Sequence, residues 1–248
     1  MKPYYADELV TLYHGDSVEL LPALGVKGDC IVADPPYGET SLAWDKWPDG
    51  WLDVAATVAR SLWCFGSLRM FLAHADEFST WKLSQDVIWE KHNGSGFAAD
   101  RFKRVHESVT HWYQGAWGDA YRAVPTEVVG RTDRGGHVRS IKRPAHTGDI
   151  GQRLDYDGNS RLMRSVLKVR SMQGGAIHPT EKPVGILTPL IEYACPPDGL
   201  VVDPFAGSGS TLEAARISGR RAIGIEANEK YCEAAARRFS QGVLEMTP

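Results

Sequence analysis

At 248 residues the chain amounts to roughly 1.7 average domains, so it is one large domain or one domain carrying an insert. Hydrophobic residues make up 43% and charged residues 24%, ordinary globular values that exclude a disordered chain, a coiled coil and a collagen. The net charge of −3 conceals an asymmetry: residues 101–170 carry 14 Lys and Arg against 7 Asp and Glu, while the remainder carries 14 against 24.

No apolar run reaches the ~18 residues of a membrane helix, and Met1–Glu8 has no apolar core, so a cytoplasmic protein without a membrane partner is expected. Cys30, Cys64, Cys195 and Cys232 lie far apart with no Cys-x-x-Cys pair. Reduced, buried thiols are the expectation. His14, His74, His106 and His178 show no ligand spacing, so no metal site is expected.

In chain order, Cys30-Ile31-Val32-Ala33 is a short apolar run of the kind that forms a buried parallel strand. Asp34-Pro35-Pro36-Tyr37 ends it, because two prolines offer no ladder donors. Trp51, Val54, Ala55, Val58 and Leu62 recur at helical spacing, and Gly66 is placed as the end of that helix. Leu68–Ala73 and Asp86–Glu90 are predicted strands. The basic stretch follows, rich in glycine and polar residues (Gly130 to Gly136, Gly148 to Gly151), and is predicted as a loop-rich insert. Beyond it come a helix over Pro183–Ala194, a strand at Leu200–Val202, a glycine turn, a helix over Leu212–Ile217, a strand over Arg221–Ile225 and a helix over Glu229–Phe239. Alternating strands and helices predict an α/β fold with a doubly wound, mostly parallel sheet. The organisation expected is a first half at 1–117, an insert at 118–172 and a second half at 173–248.

Ligands of such sheets bind beyond the carboxyl ends of the strands, and two motifs sit there. In Asp203-Pro204-Phe205-Ala206-Gly207-Ser208-Gly209-Ser210-Thr211 a strand enters a tight glycine turn before a helix. Glycines permit positive φ and let a ligand approach the backbone. Glu226 ends the next strand, 17 residues past Gly209, where a carboxylate can accept both hydroxyls of a ribose. Together they indicate a nucleoside cofactor. The turn lacks the lysine of a phosphate-binding loop, and Leu212 stands where a dinucleotide fingerprint has its third glycine. Asp203 crowds the entrance with an acidic group, which suits a cationic, amino-acid-bearing cofactor better than a pyrophosphate.

The second motif, Asp34-Pro35-Pro36-Tyr37, suits chemistry on a nucleobase amine. Such an amine is a poor nucleophile because its lone pair is delocalised into the ring. Asp34 can accept one N–H and the Pro35 carbonyl the other, drawing the nitrogen toward tetrahedral geometry. The Pro35-Pro36 pair keeps that carbonyl rigid and adds no competing donor. Tyr37 offers a flat face for an extruded base.

These two motifs together resemble the amino-group DNA methyltransferases that use S-adenosylmethionine and modify adenine N6 or cytosine N4. The catalytic motif precedes the cofactor motif with the basic segment between, an order similar to the permuted beta-type group. The resemblance covers about residues 9–115 and 176–240 and extends to further segments. Leu12-Tyr13-His14-Gly15-Asp16 resembles the segment whose Asp meets the adenine end of the cofactor. Trp89-Glu90-Lys91 and Glu107-Ser108-Val109 resemble a segment lining the target pocket. His178 to Pro183 resembles the stretch in which Thr180 and Lys182 approach the methionine moiety, and Ile223 to Glu226 resembles the ribose-binding strand end.

The resemblance implies a DNA (adenine-N6) methyltransferase acting on double-stranded DNA with a flipped target base, with cytosine N4 as the alternative and RNA or a protein amide as remoter ones. It implies catalytic Asp34, Pro35, Pro36 and Tyr37. It implies a cofactor set of Asp16, Thr180, Lys182, Asp203, Phe205, Ala206, Gly207, Ser208, Gly209, Thr211, Glu226 and Asn228. Asp203 is expected at the cofactor's amino group, and Thr211 with Lys182 at its carboxylate. The insert becomes the target-recognition region, with Arg131, Arg134, Arg139, Lys142 and Arg143 as DNA-binding candidates. A homodimer and a cognate restriction endonuclease are further partners the family suggests. Trp44, Trp47 and Trp51 are candidates both for the base pocket and for the core, and Asp45, in the same loop, for closing that loop over the base.

Overall fold

The computed structural model describes residues 1–42, 44–95, 100, 102–128, 160–170 and 181–245. Its elements are β1 (Tyr5–Ala6), β2 (Val10–His14), α1 (Ser17–Leu24), β3 (Cys30–Ala33), α2 (Trp51–Val58), β4 (Ser61–Gly66), α3 (Leu68–Ala73), β5 (Lys82–Ser95), β6 (Arg104–Tyr113), β7 (Thr126–Val128), β8 (Ser160–Leu162), β9 (Val166–Lys168), α4 (Val184–Ala194), β10 (Leu200–Asp203), α5 (Ser210–Ile217), β11 (Arg221–Glu226) and α6 (Glu229–Glu245). Two compact units result, residues 1–123 with 165–248, and residues 124–164. The smaller contains the antiparallel pair β7–β8. Residues 166–168, placed in the insert by the sequence reading, form β9 and pair with β5 in the larger unit.

The main sheet runs β1-β2-β11-β10-β3-β4-β6-β5-β9. Strands β2, β11, β10, β3 and β4 are mutually parallel, and β6 is antiparallel to both of its neighbours. This is the doubly wound α/β architecture expected. Because side chains alternate across a strand, Cys30 and Val32 join Ile186, Leu190, Leu212 and Phe239 on one face, with α4, α5 and α6. Ile31 and Ala33 join Leu21, Leu52, Ala55 and Met70 on the other, with α1, α2 and α3.

One stretch corrects the sequence reading. The helix begun at Trp51 stops at Val58, Ser61–Gly66 is a strand, and Leu68–Ala73 is a helix and not a strand. β4 lies between β3 and β6 with all six residues buried, so it lacks the polar alternation that marks a half-exposed strand. The Ser67 hydroxyl accepts the Met70 N–H at 2.9 Å and starts α3 as an N-cap.

His111 on β6 is fully buried. Ser84 Oγ donates to the His111 carbonyl at 3.2 Å, which leaves it an acceptor for Nδ1–H at 2.5 Å; Ser61 then donates to Nε2 at 2.9 Å. Burial lowers this imidazole from 6.5 to about 4. Since the unfolded chain binds the proton more readily, the stabilisation is complete above pH 6.5 and is lost as pH falls toward 4. Melting between pH 7 and pH 4 is expected to show a loss of about 3 kcal/mol from this group, and His111→Gln is expected to remove that part of the acid limb.

Candidate active site

The order of strands reverses between β10 and β3: the chain goes from β3 outward to β4, and from β10 outward to β11. A crevice opens at such a switch point, beyond the carboxyl ends. Asp203 ends β10 and Asp34 follows β3, so the acidic groups of both motifs stand on adjacent parallel strands. Glu226 ends β11 on the other side of β10.

On the β10–β11 side, Gly207 has φ +52°, and a Cβ there would meet nothing nearer than the Phe205 carbonyl at 4.0 Å. Its glycine serves a turn with an open face. Gly209, at φ +81°, differs: a Cβ would stand 2.4 Å from Phe239 Cζ, so this glycine lets α6 pack against the turn. The Glu226 carboxylate accepts the Gly207 N–H and the Asn228 N–H, each at 2.7 Å. Burial pushes Glu226 up, against these two bonds. The Ala206 N–H bonds the Ile225 carbonyl at 2.8 Å, tying turn to strand. Phe205 meets the edge of buried Trp51 with ring centres 5.3 Å apart. Asp16 caps α1 through the Val18 N–H, 2.7 Å, beside β2, whose following Gly15 bonds the Glu226 carbonyl. Asn228 accepts the Lys230 N–H at 3.1 Å and so caps α6. Ser208 is buried, and its carbonyl accepts from Arg238 at 3.2 Å.

Asp203 is buried and accepts the Phe205 N–H at 2.9 Å. Burial raises its carboxyl to about 7, with the charges of Asp34 and Glu226 adding to the rise; the Thr211 hydroxyl and the Phe205 N–H hold it back. Thr211, expected at the cofactor's carboxylate, therefore supports Asp203. Acidic ends on three adjacent strands beside an open-faced glycine suit a cationic group joined to a hydroxyl-bearing nucleoside, and S-adenosylmethionine has both.

On the β3 side, Asp34 Oδ1 accepts the Tyr37 hydroxyl at 2.6 Å, and Oδ2 accepts Lys182 Nζ at 2.5 Å. Burial and the Asp34 and Glu107 charges raise the Tyr37 phenol well above its usual range, so it stays a donor. Lys182, 7% exposed, also lies 3.4 Å from Glu107 Oε2 and 5.1 Å above the Phe65 ring. Burial alone would lower its ammonium; the Asp34 and Glu107 carboxylates reverse this and raise it. Lys182 is thus engaged by Asp34, whereas the sequence reading expects it at the cofactor's carboxylate. Glu107 binds Lys91 through its other oxygen, and although burial raises it, Lys182 and Lys91 lower it on balance.

Asp45 accepts the Gly38 N–H at 2.9 Å and the Thr40 N–H at 2.7 Å, which pins the turn after Tyr37. Burial raises its carboxyl, but these bonds lower it overall. Trp47 stacks on His74, centroids 4.0 Å apart, and both bond Glu77. Arg238 reaches from α6 to Glu181 at 2.7 Å and to Ser210 at 3.2 Å, joining the segment before α4 to the glycine turn. The sequence reading assigned no part to Arg238 or Glu181, which are 57 residues apart. Thr180 and the candidates Arg131, Arg134, Arg139, Lys142 and Arg143 lie outside the described residues. Among the described residues no group of three or more His, Cys, Asp or Glu is placed to hold a metal. The four cysteines are buried and unpaired with one another. No described helix is long and apolar enough to cross a membrane.

Residues 28–237 match the family model described as DNA methylase, N6_N4_Mtase. The chain is 26% identical to the type II methyltransferase M.HinfI of Haemophilus influenzae, over 97% of this chain and 71% of that protein. It is 25% identical to the type II methyltransferase M2.LlaDCHI of Lactococcus lactis subsp. cremoris, over 97% and 93%. Among solved structures it resembles the M1.HpyAVI–SAM complex, with a TM-score of 0.65, 22% identity and coverage of 93% and 100%. The cytosine-N4-specific PvuII DNA methyltransferase gives a TM-score of 0.65 at 18% identity, covering 96% and 89%.

Proposed function

Because the chain belongs to the N6/N4 DNA methylase family, we propose that it transfers a methyl group from S-adenosylmethionine to the N6 of an adenine flipped out of duplex DNA. The observation carrying this reading is the adjacency of β3 and β10, which sets an amine-acceptor motif beside a nucleoside-binding turn. An aspartate opening the motif supports adenine; cytosine N4 is the alternative outcome.

When bound, the cofactor supplies a methyl group already activated by a cationic sulfur. The chain positions and orients. Glu226 would receive the ribose hydroxyls and Asp203 the ammonium, with Phe205, backed by Trp51, beside the nucleoside. Asp34 accepts one N–H of the target amine and the Pro35 carbonyl the other, which frees the nitrogen lone pair for in-line attack at about 3–3.5 Å. Asp34 receives the proton once the nitrogen carries the methyl group. A strong base is unnecessary, since that amine becomes acidic only on methylation. Tyr37 stacks on the base while its hydroxyl steadies Oδ1.

Label from S-adenosylmethionine should enter duplex DNA, and digestion to nucleosides should give N6-methyldeoxyadenosine by mass. N4-methyldeoxycytidine would replace the adenine reading. Label in RNA or protein and not in DNA would defeat the proposal. Neutralising Arg139, Lys142 and Arg143 together is expected to weaken DNA binding and reduce the slope of log affinity against log salt by up to about 2.7. An unchanged slope would remove these residues from the DNA interface. The type II relatives support a restriction–modification role.

A further inference from the structure

The Lys182 ammonium faces two carboxylates, bonded closely to one and paired at longer range with the other. It donates to Asp34 Oδ2 at 2.5 Å and stands 3.4 Å from Glu107 Oε2. That Glu107 oxygen is buried and has no hydrogen-bond partner. The rest of Glu107 is fixed: it sits on β6, paired with Trp89 of β5, and its other oxygen is held by Lys91. The residues on either side of Lys182 are anchored as well. Glu181 is tied to Arg238 of α6 at 2.7 Å, and Pro183 begins α4. What can move is the Lys182 side chain, a flexible four-carbon stem over the Phe65 ring.

Both oxygens of Asp34 are engaged in this arrangement, Oδ1 by Tyr37 and Oδ2 by Lys182. A target amine arriving at Oδ2 meets an ammonium at hydrogen-bond distance. Its lone pair must stay free of donors to attack, and the nitrogen becomes positive as the methyl group arrives. A lysine cation remaining on Asp34 opposes both.

We propose that Lys182 is a two-position latch: it closes on Asp34 in the absence of substrate, and shifts wholly onto the Glu107 oxygen it already faces at 3.4 Å when the amine of the target base takes Asp34. Glu107 is then a positioning residue that acts through Lys182. Lys91 holds it ready without occupying the receiving oxygen. Both carboxylates keep a partner in both states: Asp34 exchanges an ammonium for an amine N–H, and Glu107 gains the ammonium. The latch also makes engagement of Asp34 conditional on a base that carries an exocyclic amine. It rests on the amine-methyltransferase reading above and adds to it a specificity role for residues outside both motifs.

The test compares two duplexes, one with the methylated base intact and one with that base replaced by its counterpart lacking the exocyclic amine (purine for adenine). Affinities are measured with S-adenosylhomocysteine present so that nothing turns over. In Glu107→Gln the displaced lysine has no anion to receive it. The affinity for the intact duplex should fall at least tenfold and that for the amine-free duplex less than twofold. Comparing the pair in each protein cancels effects on flipping and backbone contacts. Lys182→Met should keep the preference for the intact duplex, because nothing then needs to be displaced. Equal losses on the two duplexes in Glu107→Gln would overturn the latch, as would loss of the preference in Lys182→Met. If the unaltered protein bound both duplexes equally, the latch and the placing of the amine at Asp34 would fall together. Methyl transfer by that protein, measured separately with label, reports on the enzymatic reading alone.

Discussion

Asp34→Ala is expected to lower the methylation rate on the order of 10³-fold, the scale on which enzymes lose rate when a preorganised polar partner of the reacting group is removed. The substitution takes away the acceptor that orients the amine, and the misplaced nitrogen no longer lies in line with the methyl group. Cofactor affinity should change by no more than about threefold, well under 1.4 kcal/mol. The reason lies in the strand order: Asp34 follows β3, whereas the groups proposed to hold the nucleoside follow β10 and β11. Removing its negative charge also relieves one of the influences that raise the Asp203 carboxyl. Asp203 should then ionise slightly more readily, which favours a cationic ligand. Equilibrium binding of S-adenosylhomocysteine beside single-turnover rates separates the two effects. Equal losses in both would mean that Asp34 supports the fold and not the chemistry.

The second large effect concerns Asp203, where stability and function should move in opposite directions. Its carboxyl titrates near 7 in the folded chain and at the ordinary 3.8 when unfolded. The folded state therefore holds the extra proton between these values. Its stabilisation is complete below pH 4 and is lost as pH rises through 7. At pH 8 the ligand-free protein carries a buried carboxylate at a cost of about 2–4 kcal/mol. Asp203→Asn keeps the size of the side chain and an oxygen for the Phe205 N–H, so the ligand-free protein should gain most of that amount in urea or thermal unfolding at pH 8. The gain should shrink as pH falls below 7. Binding of S-adenosylmethionine should weaken by about tenfold or more, as expected for loss of a charge-assisted bond worth roughly 1.5–3 kcal/mol. A variant that is less stable at pH 8, or that binds the cofactor normally, would mean that Asp203 is a structural group of the turn.

The central strands were legible because they are short apolar runs with abrupt ends. Cys30–Ala33 stops at two prolines, Leu200–Asp203 at a proline and a glycine turn, and Arg221–Glu226 at an acidic residue before a helix. The stretch from Val58 to Ala73 was not legible in the same way. Leu62 continues the helical spacing of Val58, and a strand buried on both faces carries no alternation to oppose it. Ser67, which caps α3, was the local signal that a helix starts there. The acidic ends of the site were visible as motifs, since each belongs to a few consecutive residues. The Lys182–Asp34 pair was not, because 148 residues separate its members and only strand order brings them together. Glu107 stands out in the sequence only as part of a segment, and its charge has meaning only beside Lys91 and Lys182.

In the proposed complex the exocyclic amine of a flipped base lies between the Asp34 carboxylate and the Pro35 carbonyl, facing the turn after β10. A structure of the protein with a duplex containing its site and with S-adenosylhomocysteine measures this directly. The amine nitrogen should lie at hydrogen-bond distance, about 2.6–3.2 Å, from Asp34 and from the Pro35 oxygen. A target base seated in the crevice with its amine turned away from Asp34, or one methylated without leaving the stack, would contradict the account.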